Sequence, residues 1–312
     1  MMRYLLLAVL TAAIAFGQDG AAIYKERCAT CHDAPQGHVP GISAIKAMSG
    51  EAIYAALTTG AMKERAAGLS TTDIFAVIGY IAPTGGAKTT KAIQPTCGSN
   101  PAFQLKAGAP QWNGWSPGDT NSRYANAANA GLEASGIPKL KLKWAFNLGD
   151  VTTVRAQPTV VGGRLFLTTA TGVVYSLDAK TGCTYWGFQT APGIRSGVSI
   201  GEANGKPAAF FAEGGGTIDA LNAQTGELLW TEKPVEHFAT IATGGPRFYN
   251  GVVYEGYSSF AEALGGDPKF HCCTFRGSVV ALDANTGKKI WQTFTIPDAP
   301  KETGKSSAGT PQ

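Results

Sequence analysis

Three copies of one short pattern constrain this chain more than any other feature: Leu177-Asp178-Ala179-Lys180-Thr181-Gly182 through Trp186, Leu221-Asn222-Ala223-Gln224-Thr225-Gly226 through Trp230, and Leu282-Asp283-Ala284-Asn285-Thr286-Gly287 through Trp291. Each reads as a tight hairpin. The Asp or Asn side chain caps the turn, the glycine takes a positive φ, and the tryptophan on the next strand packs against a neighbour. Trp144, in Leu142-Lys143-Trp144, repeats that last strand, and successive tryptophans lie 42, 44 and 61 residues apart. About 40 to 45 residues is one four-stranded propeller blade. Short β-type runs between glycine turns, Arg164 to Thr169 and Gly251 to Tyr254, fit the same frame. The expected fold of residues 111–312 is therefore all-β propeller blades, about three of them, where closed propellers use about 4 to 8. Trp144 would then complete a blade whose other strands lie elsewhere, so the chain is expected to be the N-terminal part of a longer protein. The long third interval places an insertion in Tyr257 to Thr274, and insertions in repeat folds gather on one face, often the binding face.

A different composition precedes the repeats. Residues 1–17 read as a secretory signal, with Arg3 in the n-region, an apolar run from Tyr4 to Ala15, and Ala15-Phe16-Gly17 as a small-x-small site. That run is too short for the roughly 20 residues of a membrane span, so the expectation is a cleaved, periplasmic protein with no stable membrane span. Residues 18–86 form an Ala-rich, helical unit of small-domain size. A short helix, Ala21 to Arg27, carries Cys28-Ala29-Thr30-Cys31-His32. Thiols three positions apart can bond both haem vinyl groups, and the following histidine then lies under the iron. Cys28 and Cys31 are thus the covalent haem sites and His32 the proximal ligand. A thioredoxin-like redox pair or half a zinc site would need a βαβ context or further ligands, and neither pattern is present.

The second axial ligand is expected to be a thioether. Met62 follows Gly60 in a loop ahead of a last helical segment, Thr71 to Ile81, and is preferred to Met48, which reads as core filler. His38 is too near His32 in sequence to cross the haem. Residues 87–110, rich in Pro, Gly, Thr and Lys, read as an interdomain linker. The fold class is thus multidomain, a small all-α cytochrome c domain followed by incomplete all-β propeller blades. The formal net charge is +4 with no basic block, which argues against nucleic acid as partner. After the haem pair, Cys97 and Cys183 remain as a candidate disulfide, beside the adjacent Cys272 and Cys273.

Residues 20–82 resemble the class I cytochromes c in the attachment motif, the methionine loop and the helix with Tyr80. Ala220 to Trp230 and Ala281 to Trp291 resemble the tryptophan-docking motif of dehydrogenases that use pyrroloquinoline quinone (PQQ). The Ser176 to Trp186 copy departs from it at its first position. The cytochrome-then-propeller order, with Trp112-Asn113-Gly114-Trp115 and Cys272-Cys273-Thr274-Phe275-Arg276-Gly277, resembles quinohaemoproteins of the polyvinyl-alcohol dehydrogenase type.

That resemblance implies haem c and PQQ as cofactors, a secondary alcohol such as polyvinyl alcohol as substrate, and an external electron acceptor, another cytochrome or a quinone pool. It also implies a Cys272-Cys273 disulfide over the quinone. Arg195, Arg247 and Arg276 are candidate cations for the quinone carboxylates, with His237 as a polar contact and Glu262 as a hard oxygen ligand for Ca²⁺. No catalytic base is identified. The alternative is a haem c electron carrier whose propeller only binds a partner, since propellers serve as scaffolds as well as enzymes.

Overall fold

The computed structural model describes residues 19–46, 48, 50–81, 93–118, 120, 122–148, 151, 154–190, 193–237, 239–266, 268, 270 and 272–312. The signal-peptide reading lies outside these residues, as does the start of the linker.

The first unit is helical: α1 (Gly20–Arg27), α2 (Ala29–His32), α3 (Ile42–Lys46), α4 (Gly50–Thr58) and α5 (Thr71–Ile81). Asp19 starts α1 by accepting hydrogen bonds from the Ala21 and Ala22 amides, which satisfies donors a helix start leaves open. α1 and α5 cross where Gly20 stands; a Cβ there would sit 1.9 Å from the Ala76 carbonyl oxygen, so only glycine permits the approach. Tyr24, Ile45, Ile53, Leu57, Ile74, Val77, Ile78 and Ile81 form the core, with Cys28, Met48 and Met62 packed against it. α5 has the span read from the sequence, and α1 begins one residue earlier.

After the short α6 (Ala127–Ala130) and a 3-10 turn at Ala134–Lys139, three antiparallel sheets follow. The first is β1 (Thr159–Val161), β2 (Arg164–Thr168), β3 (Val173–Asp178) and β4 (Thr184–Gln189); the second is β5 (Ser199–Ala203), β6 (Lys206–Ala212), β7 (Ile218–Asn222) and β8 (Leu228–Glu232). In the third, β9 (Thr240–Ile241) pairs with the far end of β11 (Val252–Ser259), beside β10 (Arg247–Tyr249), β12 (Ser278–Asp283) and β13 (Lys289–Phe294). A helix, α7 (Ala261–Leu264), lies inside the insertion between β11 and β12.

The repeated turn works as its residues suggest. Asp178 Oδ1 accepts from the Lys180 and Thr181 amides and the Thr181 hydroxyl, and Asp283 does the same in the third sheet. Three of these tryptophans then dock on the glycine of the copy that follows. The indole N–H groups of Trp144, Trp186 and Trp230 donate to the carbonyls of Ala179, Ala223 and Ala284, while their rings lie over Gly182, Gly226 and Gly287. Trp144 therefore makes the same docking contact as Trp186 and Trp230, although it lies in an extended segment rather than an assigned strand.

Two further segments tie the sheets together. The described linker residues run along the first sheet: the Thr96 and Cys97 amides donate to the Thr184 carbonyl, and Cys97 and Cys183 form a disulfide. The buried Arg164 anchors Asn100 and Pro101 there, and the buried Phe103 packs against Phe166. On the inner edges, Trp112 pairs with Val160, Asn113 exchanges hydrogen bonds with the Ile200 amide and carbonyl, and Arg247 Nη1 donates to the Asn113 carbonyl at 2.6 Å. The Trp112–Asn113 strap thus touches the innermost strand of all three sheets.

Candidate functional site

In the helical unit, α1 ends at Cys28 and α2 carries Cys31 and His32. Both thiols are free. His32 is buried, and its Nδ1 lies 2.8 Å from the Pro40 carbonyl. A carbonyl only accepts, so Nδ1 carries the proton and Nε2 keeps its lone pair, the tautomer a metal-binding imidazole needs. Met62 sits in the turn region after α4, its amide donating to the Ala56 carbonyl and its side chain against the core that also receives Cys28. Met48 packs on the same core. One thiol and a thioether on the same apolar core, with the second thiol and an oriented imidazole on the short helix that follows, make a donor set that fits a covalent haem.

The second group of candidates gathers on the insertion. Cys272 and Cys273 form a disulfide across a cis peptide bond, with Cα atoms 3.0 Å apart in place of about 3.8 Å for the trans form. His237 is brought to the same loop from the second sheet's exit. Its Nδ1 accepts from the Ala239 amide, so Nε2 carries the proton and donates to the Thr274 hydroxyl at 2.9 Å, with the ring edge-on to Phe275. Burial pushes the imidazole below its ordinary pKa, so at neutral pH it acts as a neutral hydrogen-bonding group. Glu262 is exposed on α7, and Gly265 at the end of that helix lies against Cys272 Sγ.

The three arginines are dispersed. Arg276 places its guanidinium 3.6 Å over the Phe294 ring and donates to the Pro297 carbonyl. Arg247 is bound to the strap and, with Trp115, Gln157, Gly197 and Gly245, lines a cavity of about 220 Å³ at the sheets' inner edges. Arg195 lies in the connection between the first two sheets, half-buried. Among the described residues, no three His, Cys, Asp or Glu side chains cluster as a metal site.

The sequence reading missed three elements. Thr274 is the partner that fixes His237. The aromatic pair Tyr54 and Phe75 joins the helical unit to the insertion. Glu255 is a buried carboxyl between the second and third sheets, and its signal was present: counted from the turn aspartate, its ladder position is Leu167 in the first sheet and Phe211 in the second.

A small helical domain with a haem-attachment motif, joined to four-stranded sheets docked through tryptophans, defines a cytochrome c fused to a PQQ-type β-propeller unit. A family model described as outer membrane protein assembly factor BamB matches residues 134–311, and one described as cytochrome C oxidase, cbb3-type, subunit III matches residues 15–81. A polyvinylalcohol dehydrogenase of Pseudomonas sp is 39% identical over 302 residues, 90% of this chain and 46% of that one. Another, from Sphingopyxis sp. (strain 113P3), is 36% identical over 311 residues, 93% and 47%. The solved quinohemoprotein alcohol dehydrogenase of Comamonas testosteroni superposes with a TM-score of 0.50 at 24% identity, over 61% of this chain and 28% of that one. The chain belongs to the PQQ-type family that the first of these models describes; it is similar to the polyvinylalcohol dehydrogenases over nearly all of its own length and spans about half the length of the curated relatives it matches.

Proposed function

We propose that this chain is the electron-collecting part of an exported alcohol dehydrogenase that oxidises a secondary alcohol of the polyvinyl-alcohol kind and delivers the electrons to an external acceptor. One observation carries the reading: the domain bearing the haem-attachment residues packs directly on the insertion that carries the Cys272-Cys273 bridge. When bound, PQQ supplies a two-electron acceptor for the alcohol and haem c a one-electron carrier. The apolar run before Gln18 supports export to the periplasm, where the Cys97-Cys183 bridge also persists. The three sheets serve as adjacent propeller blades, the first seated on the second by Trp186 and the second on the third by Trp230.

In this reading Cys28 and Cys31 hold the haem, His32 supplies Nε2 to the iron and Met62 its sulfur. The Cys272-Cys273 bridge offers a compact, uncharged surface for a flat ring, and His237, fixed by the Ala239 amide and the Thr274 hydroxyl, stands beside it as a polar contact. Arg276 donates one N–H to a carbonyl, and a guanidinium has five, so it keeps donors for carboxylates; Arg247, held on the strap, is a second cation. Arg195 is the third cation, and Glu262 is the oxygen ligand offered to Ca²⁺.

The test is alcohol-dependent reduction of the haem, followed at its α band, in chain exported with haem-maturation machinery and supplied with PQQ and Ca²⁺. Reduction on adding a secondary alcohol is expected; a haem that ascorbate reduces but no alcohol does would reject this function and leave a carrier with a binding domain. For the axial ligand, Met62→Ala is expected to abolish the weak sulfur-to-iron band of the oxidised protein and lower the haem potential, while Met48→Ala leaves both in place. A band that survives Met62→Ala would transfer the role to another residue.

A further inference from the structure

The insertion between β11 and β12 has a use that the repeat pattern does not explain. Phe260, at the start of α7, and Phe270 are both buried, together with Ala239 and Ala261, in a small apolar cluster separate from the cores between the sheets. The other side of that cluster is the helical unit. Tyr54 on α4 and Phe75 on α5 stack at 5.5 Å with their planes 7° apart, and Phe75 meets Phe260 at 5.8 Å and Phe270 at 6.4 Å.

Tyr54 and Phe75 each follow a core residue, Ile53 and Ile74, so they stand beside their own domain's core rather than at its centre. They also pack against both clusters: the core that receives Cys28 and Met62, and the insertion cluster that receives Cys272. No other described residue is shared by the two.

We infer that the Tyr54–Phe75 pair and its socket, Phe260 and Phe270, form the seat that fixes the haem domain on the disulfide loop, with Phe75 the positioning residue for electron transfer into the haem. This rests on the function proposed above. In the step it serves, the reduced cofactor loses one electron and ferric haem iron gains it, becoming ferrous. The second electron follows once the haem has passed the first to the external acceptor, and the alcohol's two protons leave to solvent. No bond is made or broken between the domains, so the protein's contribution is distance and orientation. Electron-transfer rates fall steeply with separation, and a seat built of stacked rings holds that separation while presenting no charge to be desolvated. The seat also accounts for the long third interval: residues beyond the blade repeat build the socket.

The test uses the full chain with haem attached, carrying Phe75→Ala, the ring-preserving Phe75→Tyr, and Phe270→Ala, which alters the socket without touching the haem domain. With PQQ and Ca²⁺ bound, Phe75→Ala and Phe270→Ala are expected to slow alcohol-driven haem reduction at least tenfold in stopped flow. A phenazine dye that takes electrons directly from the cofactor should be reduced by alcohol at the parental rate, and ascorbate should reduce the haem as before. Phe75→Tyr is expected to restore the fast phase. Independently of PQQ, hydrogen exchange of residues 260–266 should speed up in both alanine variants and return to the parental rate in Phe75→Tyr. Unchanged haem reduction in the alanine variants, or equal slowing of the dye, would overturn the proposal. If the parental chain reduces no dye with alcohol, the functional reading fails, and hydrogen exchange still decides the seat: unaltered protection overturns it.

Discussion

Valine in place of Gly226 is expected to destabilise the chain by on the order of 4 kcal/mol, a large share of the 5 to 15 kcal/mol that holds a typical domain. Two costs combine. Gly226 has φ +78°, a region that a β-branched residue enters only under strain. A Cβ there would also stand 2.7 Å from the Trp186 ring, so the indole must leave its seat and give up its hydrogen bond to the Ala223 carbonyl. The control is Gly205→Val. Gly205 has φ +70°, but nothing lies within 4 Å of its Cβ position, so that variant should lose only the backbone share, about 1 to 2 kcal/mol. Urea denaturation of the two proteins separates the terms. Equal losses would show that the tryptophan seat contributes little.

The second large effect is expected at Glu255. Its side chain is 2% exposed, and neither carboxyl oxygen reaches a hydrogen-bond partner at normal geometry. Burial pushes its pKa up to about 8 from an ordinary 4.5, opposed only weakly by the Gly256 amide. The folded protein therefore holds a proton here that the unfolded chain releases above pH 4.5. Stability from this group is fully present below pH 4.5, declines as pH rises, and is exhausted above about 8. At about 1.4 kcal/mol per pH unit the full span is roughly 3 to 5 kcal/mol. Glu255→Leu, which restores the residue type of Leu167, should raise stability at pH 8 by that order and flatten the profile between pH 5 and 8. Melting temperatures at the two pH values read this directly, and parallel profiles for parent and variant would sink it.

What could be read from the sequence was local chemistry at fixed spacing. The three turn copies announced their sheets because aspartate, glycine and tryptophan each do one job at one offset, and Trp144 could be recognised as a fourth copy by its last strand alone. The haem motif is equally short-range: two thiols and an imidazole within one helical turn and a half. The helix Thr71–Ile81 was legible from its apolar spacing, but the partner of its Phe75 was not, because Phe260 and Phe270 lie nearly two hundred residues on and form no pattern with it. Glu255 was overlooked for a different reason. A carboxylate in a strand reads as a solvent-facing position, and only alignment of the three ladders shows that its side chain enters an apolar layer. The loop with Cys272 and Cys273 was located by the length of the interval rather than by any signal of how it is held.

The Trp112–Asn113 strap changes how this chain comes apart and is assembled. Stacked repeats with contacts only between neighbours tend to fray one unit at a time. Here the Asn113 side chain is bonded to the second sheet and its carbonyl to Arg247 of the third, across 134 residues of chain. That closure cannot form until the last of the three sheets exists, so it is a late, long-range event in folding. Once formed, it ties the inner strands of the three sheets together, so the three units are expected to melt in a single transition instead of peeling from the end.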